Sequence, residues 1–293
     1  MSFNDKYKEI RLLAKKEISV IEEKMVSSIQ VREPLKSYII EFLMSPSKRI
    51  RPFLAIIYMK ACGYELTEEQ LELLTTIELV HNASLIHDDI IDESKFRRGH
   101  KTISENFDNK LGVISGDYIL SVAMEKIADL GSIEILRKFS DTLKQMCIGE
   151  INQNFDRFKI GTIEDYIEKS KNKTAYLFET ALICTALLCK DKLDLKKISD
   201  FALNVGIAFQ IRDDLMNFTK NEPSKPFNND VADGIYTAPI IYAGSVEGYR
   251  SGIEKTKTLL NNYVNSAISD IELLPNNEFK TALREFLELL NND

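Results

Sequence analysis

Two acidic clusters, each set inside an apolar segment, place the strongest constraint on the fold of this 293-residue chain. The first, DDIID, occupies residues 88–92, and the second, DDLMN, occupies residues 213–217. Apolar residues recur around both clusters with helical spacing, which predicts that each cluster lies on an α-helix. Carboxylates four positions apart on a helix share one face, with Cβ atoms about 6 Å apart. Such a face repels itself unless cations neutralise it.

Carboxylate faces of this kind suit hard cations such as Mg²⁺, which prefer oxygen ligands. Two such faces turned toward each other would enclose several Mg²⁺ ions together with the phosphate oxygens of a substrate. One DDxxD pattern alone is weak evidence, because an Asp pair on a helix is commonly a solvated face or lies near a helix cap. The hypothesis therefore depends on the other residues of the chain.

Composition favours one mostly helical domain. The chain has only 12 glycines and 7 prolines, and few stretches have turn composition. No linker, repeat or low-complexity segment divides it, so residues 1–293 are predicted to form a single all-α domain. The predicted helices cover residues 5–30, 33–44, 51–62, 68–93, 112–130, 133–158, 163–188, 195–218, 238–248 and 252–290, with a break near Pro275.

Local signals place some of the helix ends. The run Thr-Glu-Glu-Gln at residues 67–70 is typical of a capping box and predicts the start of the helix that carries the first cluster. Glycines between the helical patterns are expected to mark helix ends, and these are Gly99, Gly112, Gly131 and Gly161.

Several classes of protein are disfavoured. A net charge of −7 argues against nucleic-acid binding, which normally needs a basic face. The four cysteines form no CxxC pair, and only three histidines occur, so zinc and redox spacings are absent. The cysteines are expected to be buried in a reducing compartment. Residues 1–6 lack the apolar core of a signal peptide, and the apolar run at residues 181–189 is too short to cross a bilayer, which predicts a cytoplasmic protein.

Basic residues accompany the acidic ones. The run KRIRP at residues 48–52 comes just before a predicted helix, with Pro52 suited to its first turn. Lys and Arg at a helix N-terminus are well placed to bind phosphate, although a solvated basic turn fits equally well. Arg97 and Arg98 follow the first cluster by one helical turn, where they could reach a bound diphosphate or balance acidic residues at the helix end. His81 lies two turns before Asp88, where a hydrogen bond to phosphate makes more sense than a zinc site.

Taken in order, these residues resemble the motifs of the trans-isoprenyl diphosphate synthases, the polyprenyl synthetase family. KRIRP resembles the GGKRxRP element, although Ser-Pro-Ser at residues 45–47 replaces the glycines, and DDIID resembles the first Asp-rich motif. The further matches are Arg97-Arg98-Gly99 with Thr102 (RRGxxT), Gly116-Asp117 (GD), Gly149-Glu150 (GQ-like), Lys173-Thr174 (KT), Phe209-Gln210 with Asp213-Asp214 (FQxxDD), and Lys225-Pro226 with Asp230 (GKPxGxD). Ordered agreement over residues 48–239 is very specific.

The resemblance implies an isoprenoid synthase fold, in which helices surround a deep central cavity and the two Asp motifs face each other near its mouth. It implies three Mg²⁺ ions per site with Asp88, Asp92 and Asp213 as ligands, and a catalytic set that also contains Asp89, Asp214 and Lys173. The allylic diphosphate would be held by Arg97, Lys173, Thr174, Gln210 and Lys225. The diphosphate of isopentenyl diphosphate would be held by Lys48, Arg51, His81 and Arg98.

The implied reaction is the Mg²⁺-dependent condensation of isopentenyl diphosphate with a farnesyl or geranylgeranyl primer to give an all-trans polyprenyl diphosphate. Ionisation of the allylic carbon–oxygen bond requires neutralisation of the departing diphosphate, which metal ions and cationic side chains supply. The isopentenyl double bond then attacks the cation, and a proton leaves, with the released diphosphate as its acceptor. The cavity must be dry, because water would capture the cation.

Two departures from the family pattern concern the site. Asn217 replaces the last Asp of the second motif and is expected to weaken the third Mg²⁺ without abolishing catalysis. Ile235 stands where many members have a second Lys, and we interpret this change as the mark of a subclass.

Small residues before the first cluster bear on product length. In this family the growing tail runs beside the helix of the first motif, where Ala83 and Ser84 lie five and four residues before Asp88 and Val80 lies deeper. No aromatic residue occurs between residues 65 and 95, which predicts an open tunnel and a hexaprenyl to octaprenyl product. Ordinary helix packing also explains small residues, and another helix could supply a floor through Phe139, Phe155 or Phe158.

Other functions remain open from the sequence. A short-chain farnesyl or geranylgeranyl synthase would use the same site, whereas a terpene cyclase would need no isopentenyl pocket, which Lys48, Arg51 and His81 argue against. A non-catalytic regulatory subunit is disfavoured by both Asp pairs. The resemblance implies a homodimer, and the chain could also be the catalytic half of a hetero-oligomer with a small partner. No nucleic-acid partner is expected, and membrane contact would be peripheral at most, for product release.

Overall fold

Helices form almost all of the regular structure. The structure is a computed structural model that describes residues 3–219 and 229–291. The first seven helices are α1 (Phe3–Arg11), α2 (Lys15–Ser27), α3 (Leu35–Met44), α4 (Ile50–Ala61), α5 (Glu68–Ile91), α6 (Ile103–Asn106) and α7 (Asn109–Asp129). The others are α8 (Ile133–Phe155), α9 (Ile163–Ser170), α10 (Tyr176–Leu187), α11 (Leu195–Thr219), α12 (Asn229–Ala232), α13 (Ala238–Ala243), α14 (Arg250–Asp270) and α15 (Glu278–Leu290). The predicted all-α fold is confirmed.

The two acidic clusters lie on the two longest described helices, α5 and α11. The capping box predicted for α5 is present: Oγ1 of Thr67 accepts a hydrogen bond from the backbone N–H of Gln70, and Oε1 of Gln70 accepts one from the N–H of Thr67. Side chains are buried on every side of α5, as expected of a helix inside a protein core. It packs against α2, α4, α7 and α10, and α11 packs against α10 and α14. Helix α10 therefore joins the two cluster-bearing helices.

Three short features lie within or between the predicted helices. Residues 171–175 form a π-helical segment between α9 and α10, where the sequence predicted one continuous helix. After α5, strands β1 (Phe96–Arg97) and β2 (His100–Lys101) pair in antiparallel fashion around Gly99. The predicted helix at residues 252–290 is divided into α14 and α15, as the break near Pro275 indicated.

Two sequence predictions were wrong in detail. Gly112 does not mark a helix end but lies in the first turn of α7, where an added Cβ would come within 2.7 Å of Cδ1 of Ile90. Its role is therefore to let α7 approach α5. Cys147 is exposed rather than buried, whereas Cys184 is buried. Among the described helices, none is long and apolar enough to cross a membrane.

Candidate active site

The first acidic cluster presents its carboxylates in two different environments. Asp89 is buried, and its Oδ1 accepts a hydrogen bond from Nε of Arg97 over 2.5 Å. Asp88 and Asp92 lie on another side of α5, and Asp92 is exposed at the helix C-terminus. Burial raises the pKa of Asp88 to about 6; the positive charge of Lys173 opposes this rise, and Glu150 adds to it. The charges of Asp88 and Lys173 therefore influence each other.

The second cluster shows the same division. Asp213 is exposed, whereas Asp214 is buried and bound by the protein. The hydroxyl of Tyr166 donates to Oδ2 of Asp214 over 2.6 Å, and Nε2 of Gln210 donates to its Oδ1 over 3.0 Å. Oγ1 of Thr174 in turn donates to Oε1 of Gln210 over 2.6 Å. Tyr166 was not identified from the sequence, because no local pattern connects a tyrosine on α9 to an aspartate on α11.

Lys173 projects from the π-helical segment, and two glycines allow that segment to pack closely. A Cβ at Gly149 on α8 would lie 2.8 Å from Cβ of Asn172, and a Cβ at Gly206 on α11 would lie 2.5 Å from Cα of Ala175. Insertions of this kind into helices occur frequently at functional sites. Nζ of Lys173 lies 3.2 Å from Oε2 of Glu150. Burial lowers the pKa of Lys173, but the negative charges of Glu150 and Asp88 outweigh that effect and raise the pKa overall. The side chain is therefore protonated at neutral pH.

Some of these residues line one cleft of about 230 Å³, whereas Asp88, Asp213 and Thr174 are not among its lining residues. The cleft is lined by Asp92, Ser94, Gln153, Tyr166, Lys169, Ser170, Lys173, Gln210, Asp214, Asp233, Ile235 and Thr237. Residues of both acidic clusters therefore face the same space, together with predicted diphosphate ligands. Thr237 was not identified from the sequence. Its buried Oγ1 has no hydrogen-bond partner among the described residues. Lys225 lies outside the described residues, as does the side chain of Asp230.

A second group, the cationic group, consists of Arg51, His81 and Arg98, which are predicted ligands of isopentenyl diphosphate. Burial lowers the pKa of Arg51 to about 10, and its guanidinium lies 4.9 Å from the ring centroid of Phe178. Nη1 of Arg98 donates to Oγ of Ser45 over 3.1 Å. Burial, and then the charges of Arg51 and Arg98, lower the pKa of His81 well below its usual value. His81 is therefore a neutral imidazole at pH 7, suited to hydrogen bonding.

Arg49 belongs to the same basic run, but it is buried and forms ion pairs within the protein. It is only 3 % exposed, its Nη1 lies 3.0 Å from Oε2 of Glu78, and its Nε lies 3.3 Å from Oε1 of Glu22. Its backbone has φ 51°, a left-handed conformation that is uncommon outside glycine. The ion pairs therefore hold the turn that separates Lys48 from the helix carrying Arg51.

The Gly116-Asp117 element lies on α7 against the last turns of α5. A Cβ at Gly116 would come within 2.3 Å of Nε2 of His87, and Oδ1 of Asp117 lies 3.3 Å from the same nitrogen. The glycine thus makes room for His87, and the aspartate contacts it. This element positions the helix that carries Asp88.

The residues linked to product length lie along α5. Ala83 and Val80 are buried, and the hydroxyl of half-buried Ser84 donates to the carbonyl of His81 over 2.8 Å. Two of the three candidates for a tunnel floor were wrong: Phe155 is 72 % exposed and Phe158 is 66 % exposed, at the end of α8 that borders the cleft. Phe139 is fully buried, four turns deeper along α8.

Comparison with known proteins places the chain in a family. The polyprenyl synthetase family model matches residues 32–273. Solanesyl diphosphate synthase 1 of Arabidopsis thaliana is 30% identical over 92% of this chain and 75% of its own length. Heptaprenyl diphosphate synthase component 2 of Geobacillus stearothermophilus is 28% identical over 92% of this chain and 93% of its own. A polyprenyl synthase structure from Caulobacter crescentus, in complex with calcium and isoprenyl diphosphate, has a TM-score of 0.87 at 21% identity over 98% of both chains.

The chain therefore belongs to the polyprenyl synthetase family. It is a chain-elongating trans-prenyltransferase, and isoprenyl diphosphates are its substrates.

Proposed function

We propose that this chain is a cytoplasmic, single-domain enzyme that condenses isopentenyl diphosphate with a farnesyl or geranylgeranyl primer, releasing a hexaprenyl to octaprenyl diphosphate. The observation that carries the proposal is the cleft that Asp92 at the C-terminal cap of α5, Asp214 of α11 and Lys173 line together. The cationic group beside α5 supplies a second anion site. Two anion sites suit a reaction with two diphosphate substrates.

The side chains divide the work. Lys173, Gln210, Thr174 and Arg97 would bind the allylic diphosphate, and a cation at Lys173 stabilises the charge that develops as this group leaves. Lys48, Arg51, Arg98 and His81 would bind isopentenyl diphosphate. Asp89 and Asp214 are held by the protein and would orient Arg97 and Gln210. The apolar residues buried around α5 exclude water from the cation.

The residues also suit a divalent metal. Within the described part of the chain, no three His, Cys, Asp or Glu side chains converge closely enough to hold a metal ion alone. This fits Mg²⁺, which usually takes one or two carboxylates and completes its shell with water and substrate phosphates. Asp88, Asp92 and Asp213 would provide the carboxylates for the three expected ions. The bound ions would neutralise the departing diphosphate.

Product length would be set along α5. Ala83, Ser84 and Val80 leave no aromatic barrier below Asp88, and the relatives named above include synthases of solanesyl and heptaprenyl diphosphate. Phe139 remains the candidate for a floor. A medium to long product follows from this arrangement.

Exposed apolar side chains on α7 and α8 support a homodimer. They are Val113, Ile114, Ile148 and Ile151, each between 37 % and 55 % exposed. A second copy of the chain would cover them, because exposed apolar surface commonly marks interfaces. Light scattering of the purified chain tests the dimer. A small partner subunit is the alternative, as the relative named component 2 indicates, and co-purification from the native source tests it.

A mass-resolved product assay with Mg²⁺, isopentenyl diphosphate and farnesyl diphosphate tests the function. We expect a ladder that ends beyond geranylgeranyl diphosphate. A cyclic hydrocarbon whose formation survives Lys48→Ala and Arg51→Ala would instead show a terpene cyclase. A short product would keep the reaction and overturn the open tunnel.

A further inference from the structure

The N-terminal helix reaches the isopentenyl side of the site through two aromatic residues. Phe3 and Tyr7 lie one turn apart on α1, both buried, with ring centroids 5.9 Å apart and planes inclined by 13°. Phe53 and Phe286 pack edge-on or tilted against Tyr7 and against each other, which fixes the pair within an aromatic cluster. The pair is therefore held rigidly, as positioning groups must be.

Both aromatic residues contact Lys48. Nζ of Lys48 lies over the ring of Phe3, 4.6 Å from its centroid. The hydroxyl of Tyr7 donates a hydrogen bond to the carbonyl oxygen of Lys48 over 2.7 Å. Burial strongly raises the pKa of Tyr7, so this hydroxyl remains a donor at all working pH values. The side chain and the backbone of one lysine are thus held by one face of α1.

The ring of Phe3 also contacts the second half of the site. The guanidinium of Arg212, the residue before the second acidic cluster, lies 4.1 Å from the same centroid. A ring face attracts a cation electrostatically, and the attraction is stronger where water is excluded. One phenyl ring therefore joins the basic run before α4 to the acidic helix α11.

We propose that Phe3 and Tyr7 form an aromatic bracket that positions Lys48 for isopentenyl diphosphate. The bracket restricts a flexible side chain that would otherwise lose rotamer entropy when it binds its ligand. The inference rests on the proposed role of Lys48. It assigns Phe3 and Tyr7 to positioning, since neither needs to touch a substrate.

The test compares variants of the full chain. Phe3→Leu keeps an apolar side chain but removes the ring face. Phe3→Tyr is the conservative variant, because it keeps an aromatic ring. Tyr7→Phe removes only the hydrogen bond to Lys48. Phe279→Leu is the matched control, because Phe279 lies on α15 under another lysine, with Nζ of Lys60 5.4 Å from its centroid. Thermal melts establish that each variant folds.

We expect Phe3→Leu to raise the KM for isopentenyl diphosphate about three- to tenfold, with kcat and the KM for farnesyl diphosphate little changed. Tyr7→Phe should raise the same KM less, and Phe3→Tyr and the control should resemble the wild type. An unchanged KM in Phe3→Leu, an equal rise for both substrates, or failure of Phe3→Tyr to rescue would each overturn the bracket.

Calorimetry of isopentenyl diphosphate binding separates this inference from the proposed function. Binding by the wild type that Phe3→Leu weakens supports the bracket whether or not product forms. Equal binding by the two proteins overturns the bracket and leaves the prenyltransferase intact. Lack of binding by the wild type overturns both.

Discussion

Nε of Arg97 donates a hydrogen bond to Oδ1 of Asp89, in the first acidic cluster, over 2.5 Å. This carboxylate is therefore bound by the protein itself. Asp88, its neighbour in sequence, has a pKa that burial raises and that the positive charge of Lys173 lowers. Adjacent residues on a helix point about 100° apart. One DDxxD motif thus contributes carboxylates both to the site and to its support.

This division predicts different losses for two similar changes. Asp88→Asn should lower kcat/KM by about two to three orders of magnitude, because it removes a carboxylate ligand of the Mg²⁺ that would neutralise the departing diphosphate. Asp89→Asn should cost about tenfold and raise the KM for the allylic substrate, since it only frees Arg97. Steady-state kinetics with farnesyl diphosphate measure both. Equal losses in the two variants would contradict the division.

Tyr166 is predicted to support catalysis through Asp214. Tyr166→Phe leaves a buried carboxylate with one donor fewer and should lower stability by about 1–3 kcal/mol, with a fall in kcat. Tyr64→Phe is the control, because Tyr64 makes the same kind of hydrogen bond to Asp191 at an exposed site. Urea unfolding and kcat are measured for both. An unchanged kcat in Tyr166→Phe would show that Asp214 needs no such support.

Arg49 and Arg51 should respond in opposite ways. Arg49→Met leaves Glu78 buried without its 3.0 Å partner and should destabilise the protein by about 3–5 kcal/mol. Arg51→Met removes a cation whose pKa is lowered mainly by burial, so stability should hold or rise while the KM for isopentenyl diphosphate rises. Urea unfolding and kinetics read the two effects. Lys196→Met at an exposed ion pair should change neither.

Ser84→Phe should shorten the product. Ser84 is half-buried one turn before Asp88, and a phenyl group there would block the path beside α5. Mass-resolved products should shift to farnesyl or geranylgeranyl length, and the first condensation should still occur. Ser121→Phe, on the exposed side of α7, is the control. An unchanged ladder would place the tunnel elsewhere.

Glu72 should make stability depend on pH. Burial raises its pKa, but hydrogen bonds from Lys126 and Lys24 outweigh burial and leave the pKa below 4.5. The unfolded chain therefore takes up the proton first as pH falls, so the stability due to Glu72 is complete above about pH 4.5 and is lost below it. The difference in urea midpoint between wild type and Glu72→Gln should shrink from pH 7 to pH 3.5. Glu254→Gln, at an exposed ion pair, should show no such change.

Local patterns determined the helices, the capping box at Thr67 and the position of both acidic clusters, because hydrogen bonds and side-chain faces within a helix depend on residues three or four apart. Ordered motifs also identified the family. Only the tertiary structure decided that Asp214 is bound by Tyr166, 48 residues away. It also decided that Arg49 pairs with Glu78, whereas Arg51 belongs to the cationic group. It also decided the π-helical break at Lys173, which depends on how closely α8 and α11 approach at Gly149 and Gly206. Such contacts are set by the packing of distant elements, and no spacing along one helix encodes them.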